Sequence, residues 1–457
     1  MTVGILGGGL TGLTLGFLIE DSEILERENE CGGLCRSTSE GGFTFDCFGS
    51  HIIFSRDREV LNFMLRMLGD NVVKCRRNTK ILYNGRLVKY PFENGLADLP
   101  LRENLKCVAS FLFARAKKCL HRCDGFSSFH EYLLANFGGG ISSKYLIPYN
   151  EKIWKRPISD LNASWAAGRV PSPSVFDVLR SSLGFNSEGY THQLNFYYPK
   201  RGGIEALINS IERKCADKTV CNFEVKEIWH SNDKWYVSNG EECMKYDKIV
   251  ATIPVFSVVD ALREGGENVP ASVVHASRGL SFNSLITVMI GLEGEPPVNA
   301  RIEIEEGADA ETGGNMRGIS WLYIPDADCL PHRVAFPSNY SKYVAPEGKT
   351  AVLAEITCAC GSSGIWNMSD HDIMERTIND LNRKGILNRN YICFAKVVRA
   401  PLAYIIYDRN YERNVLTLRE YFGKKGIILA GRFAKFEYMN MDDCVKDAIE
   451  IARMLVA

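Results

Sequence analysis

Val3-Gly4-Ile5-Leu6-Gly7-Gly8-Gly9-Leu10-Thr11-Gly12 stands at the head of the chain, and Glu23-Ile24-Leu25-Glu26 follows closely. Val3–Leu6 is a short unbroken apolar run, the pattern of a strand buried on both faces. Leu10–Ile19 carries no charge and predicts a helix; Glu23–Glu26 predicts the next strand. Gly7, Gly9 and Gly12 thus form a Gly-x-Gly-x-x-Gly between strand and helix. Gly7 makes the tight turn, Gly9 lets the backbone approach a pyrophosphate, and Gly12 packs helix on strand. The helix N-terminus offers unpaired N–H groups to phosphate. Glu26, about 20 residues on, is placed to accept from a ribose hydroxyl. The plainer alternative is a tight strand-to-helix turn in an unrelated α/β fold.

The rest of the chain bounds the reading. It has 457 residues, with 54 Lys+Arg against 55 Asp+Glu and a formal net charge of −1. At roughly 100–200 residues per domain this is two to three domains. The charge balance argues against nucleic acid as the main partner, because phosphate neutralisation needs a basic excess. At 46% hydrophobic and 24% charged residues, the composition excludes a disordered or fibrous chain. Val3–Ile19 imitates a signal or anchor, but only Met1 and Thr2 precede it and six glycines interrupt it, so no membrane span is expected. The 15 cysteines include the close pairs Cys31/Cys35, Cys119/Cys123 and Cys358/Cys360, none of which forms the paired CxxC halves of a zinc ribbon. We therefore expect reduced thiols, no metal and a cytoplasmic location.

Further along, Glu59–Leu68 predicts a helix, and Ile81–Tyr83 with Arg86–Lys89 predicts a hairpin around Asn84-Gly85. Pro100–Arg180 is helical in spacing, interrupted by Gly138-Gly139-Gly140 and Pro148. Val220–Ile228, Lys234–Ser238, Tyr246–Thr252, Ser284–Gly291, Ile319–Ile324 and Thr350–Thr357 predict strands. Asp370–Lys384 predicts a helix, Gly426–Ala430 a strand and Asp442–Leu455 a closing helix. The expected fold is α/β: a discontinuous Rossmann-type dinucleotide domain (1–85, 200–265, 395–457), a helical insertion (86–199) and an antiparallel-sheet substrate domain (266–394). The run Arg115, Lys117, Lys118, His121, Arg122 reads as a solvated helix face. No GxSxG, HExxH or Walker loop occurs, so the hard chemistry falls to a cofactor.

Cys31-Gly32-Gly33-Leu34-Cys35-Arg36 behind Glu26, Val225 in a predicted strand, Ala251-Thr252-Ile253-Pro254, and Gly431-Arg432 before the last helix with Asp442 resemble the FAD-binding amine oxidase and protoporphyrinogen oxidase superfamily. Within it, six ordered blocks resemble UDP-galactopyranose mutase of the eukaryotic type. They are Gly49–Ser55 with His51, Tyr90–Asn94, Tyr149–Trp154 followed by Trp165–Val170, Trp321–Pro325, Arg333 with Ser338–Ser341, and Tyr404 with Gly431–Tyr438. The resemblance implies bound FAD that is active when reduced, with NAD(P)H a candidate reductant and a nucleotide sugar as substrate. It implies that Gly7, Gly9, Gly12, Glu26, Gly32, Gly33, Arg36, Val225, Gly431, Arg432 and Asp442 hold FAD, and that His51 lies beside the flavin. Arg169 and Arg333 would grip the diphosphate as charged planar forks, joined by Tyr323, Tyr404 and Tyr438. Asn150, Trp154 and Asn195 would line the sugar, and Tyr90 would stack on the base. In the implied mechanism, flavin N5 attacks the anomeric carbon, the ring opens and recloses through another hydroxyl, and the diphosphate is recaptured.

Each residue has a plainer reading: an arginine on a solvated helix face, tryptophans and tyrosines in a core, a satisfied core histidine. The rival function is an oxidoreductase of the amine or porphyrinogen oxidase type, and a third is a flavin protein without catalysis. One position departs from the pattern: Glu93 stands where the eukaryotic-type block has Gln. A carboxylate only accepts, whereas an amide donates and accepts. Glu93 can still take uracil's single N–H, but two adjacent donors, as on guanine's Watson–Crick edge, suit it better. The plainer reading is that it points to solvent and Asn94 or backbone groups read the base. UDP remains the leading nucleotide because the rest of the pattern fits it.

Overall fold

The computed structural model describes residues 1–120, 125–185, 194–294, 318–359 and 364–456, without the side chains of 167 and 168. His121 and Arg122 of the basic run, and Cys123 and Cys360 of the close cysteine pairs, lie outside the described residues.

Val3–Leu6 is the middle strand of a five-stranded parallel sheet, ordered Ile427–Leu429, Lys248–Ala251, Val3–Leu6, Ser22–Leu25, Thr219–Val220. Its four residues are all buried because both faces are covered. Val3 and Ile5 meet the helices Leu10–Leu18, Glu205–Glu212 and Met441–Val456. Leu6 meets Val255–Glu264 and Tyr411–Lys425 on the other side. Gly4 faces that second layer too, where a Cβ would fall 2.4 Å from the Tyr246 ring. The strands come from widely separated stretches, so the dinucleotide domain is discontinuous, as expected.

A second sheet of seven strands runs Ile392–Ile406, Ser281–Glu293, Lys349–Ala359, Arg333–Ala335, Trp321–Tyr323, Thr79–Tyr83, Arg86–Lys89. Its pairs are antiparallel except Trp321–Tyr323 with Thr79–Tyr83. The Asn84-Gly85 turn holds both residues at positive φ, 49° and 77°, the conformation this dipeptide favours. The helices Leu101–Leu120, Phe129–Ile141, Ile147–Trp154 and Val175–Ser182 form the insertion. Lys152 fastens it to the sheet: its ammonium donates to the Ile324, Asp326 and Pro331 carbonyls at 2.7–2.8 Å.

Several sequence readings need correction. Val220–Ile228 is not one strand: Thr219–Val220 joins the parallel sheet, Glu227–Ser231 begins a separate three-stranded meander, and Val225 lies in the connection between them. Tyr246–Thr252 likewise divides between the meander and the parallel sheet, at Cys243–Tyr246 and Lys248–Ala251. Both apolar runs belong to two sheets, which periodicity cannot separate. Pro148 does not end the helical block: the chain stays helical through it, but the turn just before, Ser142–Leu146, widens to π-helix, with Ile147 N–H donating to the Ser142 carbonyl. The kink is at Gly138, with φ 73° and ψ 163°, where a Cβ would press on the Ser110 carbonyl at 2.5 Å. The strand Ile392–Ile406, unread in the sequence, crosses the boundary drawn at 394/395, and the hairpin strands at 79–89 put the other boundary inside the substrate sheet.

Candidate active site

A cavity of about 1810 Å³ runs from the carboxyl ends of the parallel strands to the face of the second sheet. At the parallel sheet, Gly7 takes φ 108° and Gly9 begins the helix Leu10–Leu18 with no side-chain cap. A Cβ on Gly9 would meet nothing within 4 Å, whereas one on Gly12 would fall 1.9 Å from the Gly7 carbonyl. Gly12 is thus a packing glycine and Gly9 faces an open cradle. Glu26 is fixed by its own turn: Gly8 N–H donates to Oε2 at 2.7 Å and Glu28 N–H to Oε1 at 2.9 Å. Gly32 N–H donates to the Gly8 carbonyl at 2.9 Å, closing the second loop over the first. Gly7, Gly9, Glu26, Gly32, Gly33, Arg36, Val225, Arg432 and Asp442 all line the cavity. Gly12 and Gly431 support it from behind. Gly431, at φ 74°, donates to Asp447 at 2.7 Å, and a Cβ there would strike Thr11. Arg36 is ion-paired with Glu30. Burial raises the Asp442 carboxyl, which also bonds Ser55 at the start of the last helix.

Aromatic and guanidinium groups converge at the other end. The Arg169 and Arg432 guanidinium carbons lie 4.5 Å and 4.4 Å from the centroid of the Tyr438 ring. Arg169 also donates to the Tyr438 carbonyl. Tyr404 stacks on Tyr438 at 6.1 Å, and Trp154 stands edge-on to both. Tyr323 contacts Tyr90 at 5.0 Å and Tyr149 at 5.2 Å. Asn150 lines the cavity, but its amide serves its own helix, donating to the Leu146 carbonyl at 2.7 Å and accepting from Trp154 Nε1 at 3.2 Å.

Arg333, which the resemblance gave to the diphosphate, already has a partner within the protein. Glu355, fully buried on the neighbouring strand, takes one edge of the guanidinium, Nε at 3.0 Å and Nη2 at 2.7 Å. Ser50 N–H donates to the same carboxylate at 3.0 Å, so this pair also fixes the His51 loop. Burial, with Arg333 and Arg432 nearby, pushes the His51 imidazole down to about 4 against a bond to the Gly49 backbone. The ring is therefore neutral at physiological pH. Asn195 is the clear misplacement: it is exposed, opposite Arg76 at the end of a two-stranded ladder, and is not among the lining residues.

Glu93 does not point to solvent. It is 4% exposed, lines the cavity, and burial pushes its carboxyl up to about 7. Sequence reasoning missed Glu355, His332 and Arg77, whose guanidinium lies 5.0 Å from the Tyr90 ring and 5.5 Å from Trp321. Only Arg77 had a local signal, as a basic residue ahead of the Tyr90 hairpin. Of the buried polar atoms without a hydrogen-bond partner, His51 Nδ1, Tyr145 Oη, Trp165 Nε1, His332 Nδ1 and Arg432 Nε all belong to lining residues. Buried polar groups are normally paired, so this concentration marks a place completed by a polar ligand.

A glycine cradle at a helix N-terminus, a carboxylate at the following strand and a second sheet closing the cavity make a fold of the dinucleotide-binding type. The chain belongs to the flavin-containing amine oxidoreductase family, whose model matches residues 20–456, and its cofactor is accordingly a flavin. Among solved structures it is similar to a reduced UDP-galactopyranose mutase (TM-score 0.86, 22% identity, 100% of this chain and 93% of that one). It is also similar to a protein assigned as protoporphyrinogen oxidase from Exiguobacterium sp. (0.72, 18%, 99% and 98%). A redesigned putrescine oxidase matches as well (0.65, 12%, 100% and 98%).

Proposed function

We propose that the chain is an FAD-dependent nucleotide-sugar mutase that interconverts UDP-galactopyranose and UDP-galactofuranose. The observation that carries this reading is the ring of Tyr438 flanked by Arg169 and Arg432, with Tyr404 stacked beside it. With Arg432 left to the cofactor, the planar fork of Arg169 beside two phenols, and Arg333 lining the same cavity, suit a diphosphate, which accepts bidentate charge-assisted bonds. An apolar amine has no use for them.

Gly7, Gly9, Glu26, Gly32, Gly33, Arg36, Arg432 and Asp442 would hold FAD, with Gly12, Val225 and Gly431 shaping its cradle. Bound and reduced, flavin supplies the nucleophile toward the anomeric carbon. The protein keeps the departing diphosphate beside the sugar, a proximity effect, and stabilises its charge through Arg169 and the remaining edge of Arg333. Trp154 and Tyr404 present an aromatic floor to the sugar. Neutral His51 keeps a polar atom beside the flavin without adding charge.

The test is to reduce the purified yellow protein with dithionite, add UDP-galactofuranose and follow UDP-galactopyranose by chromatography. Conversion at constant mass, only after reduction, is expected. Steady peroxide formation from an amine or a porphyrinogen, without isomerisation, overturns the proposal. It would favour the second reading, a flavin oxidoreductase, for which Glu355 speaks: by neutralising Arg333 it leaves one less cation for an anionic substrate.

A further inference from the structure

Behind the cofactor loop, three distant segments bring ligand atoms together. Cys31 lies between Glu30 and Gly32, both of which line the cavity while Cys31 does not. Glu212 is the last residue of the helix Glu205–Glu212, and Cys221 follows the edge strand Thr219–Val220. The two sulfurs and a carboxylate oxygen all lie within 4.8 Å of one another. The backbone holds this arrangement in register. Glu26 N–H donates to the Val220 carbonyl at 2.9 Å, Phe223 N–H to the Glu26 carbonyl at 2.8 Å, and Asn222 N–H to the Glu28 carbonyl at 2.9 Å. Cys31 is 2% exposed, while Glu212 and Cys221 are half-buried and give access from solvent.

We propose that Cys31, Cys221 and Glu212 form a binding site for one thiophilic divalent cation of the zinc type. Two soft sulfurs and one carboxylate, with a fourth position left to water, make a donor set that suits tetrahedral zinc. Without a metal, hydrogen bonds join Cys31 to Glu212 and to Cys221; the same three donor atoms converge closely enough for one cation to replace those protons. The charged neighbours acting on Cys31 are Glu212, Cys221 and Glu26, all of which oppose its ionisation. A bound dication reverses that sign. Binding displaces the two thiol protons to solvent, with no change in oxidation state, so affinity rises with pH. The metal would tie the loop that closes over the dinucleotide cradle to the helix and edge strand behind it. The sequence carried no metal signature because Cys31 and Cys221 are far apart in the chain and neither belongs to a CxxC.

The test is a Co²⁺ titration of the flavin-loaded protein, kept reduced with a non-chelating phosphine. Tetrahedral thiolate cobalt absorbs in the red, where oxidised flavin is transparent. One equivalent should develop these bands in wild type and in Cys243→Ser, which removes an exposed thiol elsewhere. Cys221→Ser and Glu212→Gln should each weaken binding by about tenfold or more while retaining flavin. Two variants guard against a simple folding defect, since the glutamine change leaves both thiols in place. Absence of the bands in wild type, or unchanged one-to-one binding in Cys221→Ser, overturns the site.

Discussion

Arg333 holds Glu355 through two parallel hydrogen bonds across adjacent strands, and Glu355 has no exposed surface. Removing one partner of a buried ion pair strands the other charge in a medium that cannot solvate it. Arg333→Ala should therefore destabilise the fold by about 3–5 kcal/mol, and adding Glu355→Gln should restore most of that. Urea unfolding of the three proteins checks this; a wild-type midpoint for Arg333→Ala would refute it. Loss of ligand binding in Arg333→Ala is thus no proof of direct contact.

Arg169 gives the cleaner binding test, because it is exposed and pairs with no carboxylate among the described residues. Arg169→Ala should weaken nucleoside diphosphate binding roughly tenfold or more, the worth of a charge-assisted contact, with flavin content unchanged. Calorimetric titration of the flavin-loaded variant measures it. Wild-type affinity would return Arg169 to a solvated helix face.

Gly9 and Gly12 should respond in opposite ways to alanine. The Gly9 methyl enters open space, so Gly9→Ala should fold with near wild-type stability yet retain less flavin. The Gly12 methyl collides with the Gly7 carbonyl, so Gly12→Ala should lower the melting temperature whether or not flavin is present. Absorbance of released flavin and thermal unfolding separate the two.

Glu93 should give stability a pH slope and the nucleotide site a preference. Its carboxyl goes from an ordinary 4.5 up to about 7 on burial. Between those values the native state binds more protons than the unfolded chain, so stability falls as pH rises through the window. The full penalty, on the order of 3 kcal/mol, is present above about 7 and absent below about 4.5. Glu93→Gln should thus gain stability over wild type as pH is raised from about 5 to about 8. If Glu93 reads the base, the same change should shift the ranking of UDP, CDP and GDP toward UDP in calorimetry. An unchanged ranking would mean that the side chain does not touch the base.

The sequence by itself determined the features whose causes are local. The strand, the glycine turn and the helix from Val3 to Leu18 follow from steric rules acting over a few residues, as does the Asn84-Gly85 hairpin. Glu26 was legible because its distance from Gly7 along the chain sets its distance in space. The aromatic and arginine blocks were readable as an ordered set, and Arg169, Tyr404 and Tyr438 do share one wall. What only the tertiary structure decided depends on partners far away in the chain. The charge of Arg333 is set by Glu355 on a neighbouring strand, and the carboxyl of Glu93 by burial under a helical insertion. Val225 falls between two short strands that join different sheets, and Asn195 ends a two-stranded ladder away from the cavity, placements that periodicity does not encode. Cys31, Glu212 and Cys221 meet only because the parallel sheet closes its edge. Backbone geometry acts between neighbours, but electrostatics and burial act through space, so only the folded chain states who faces whom.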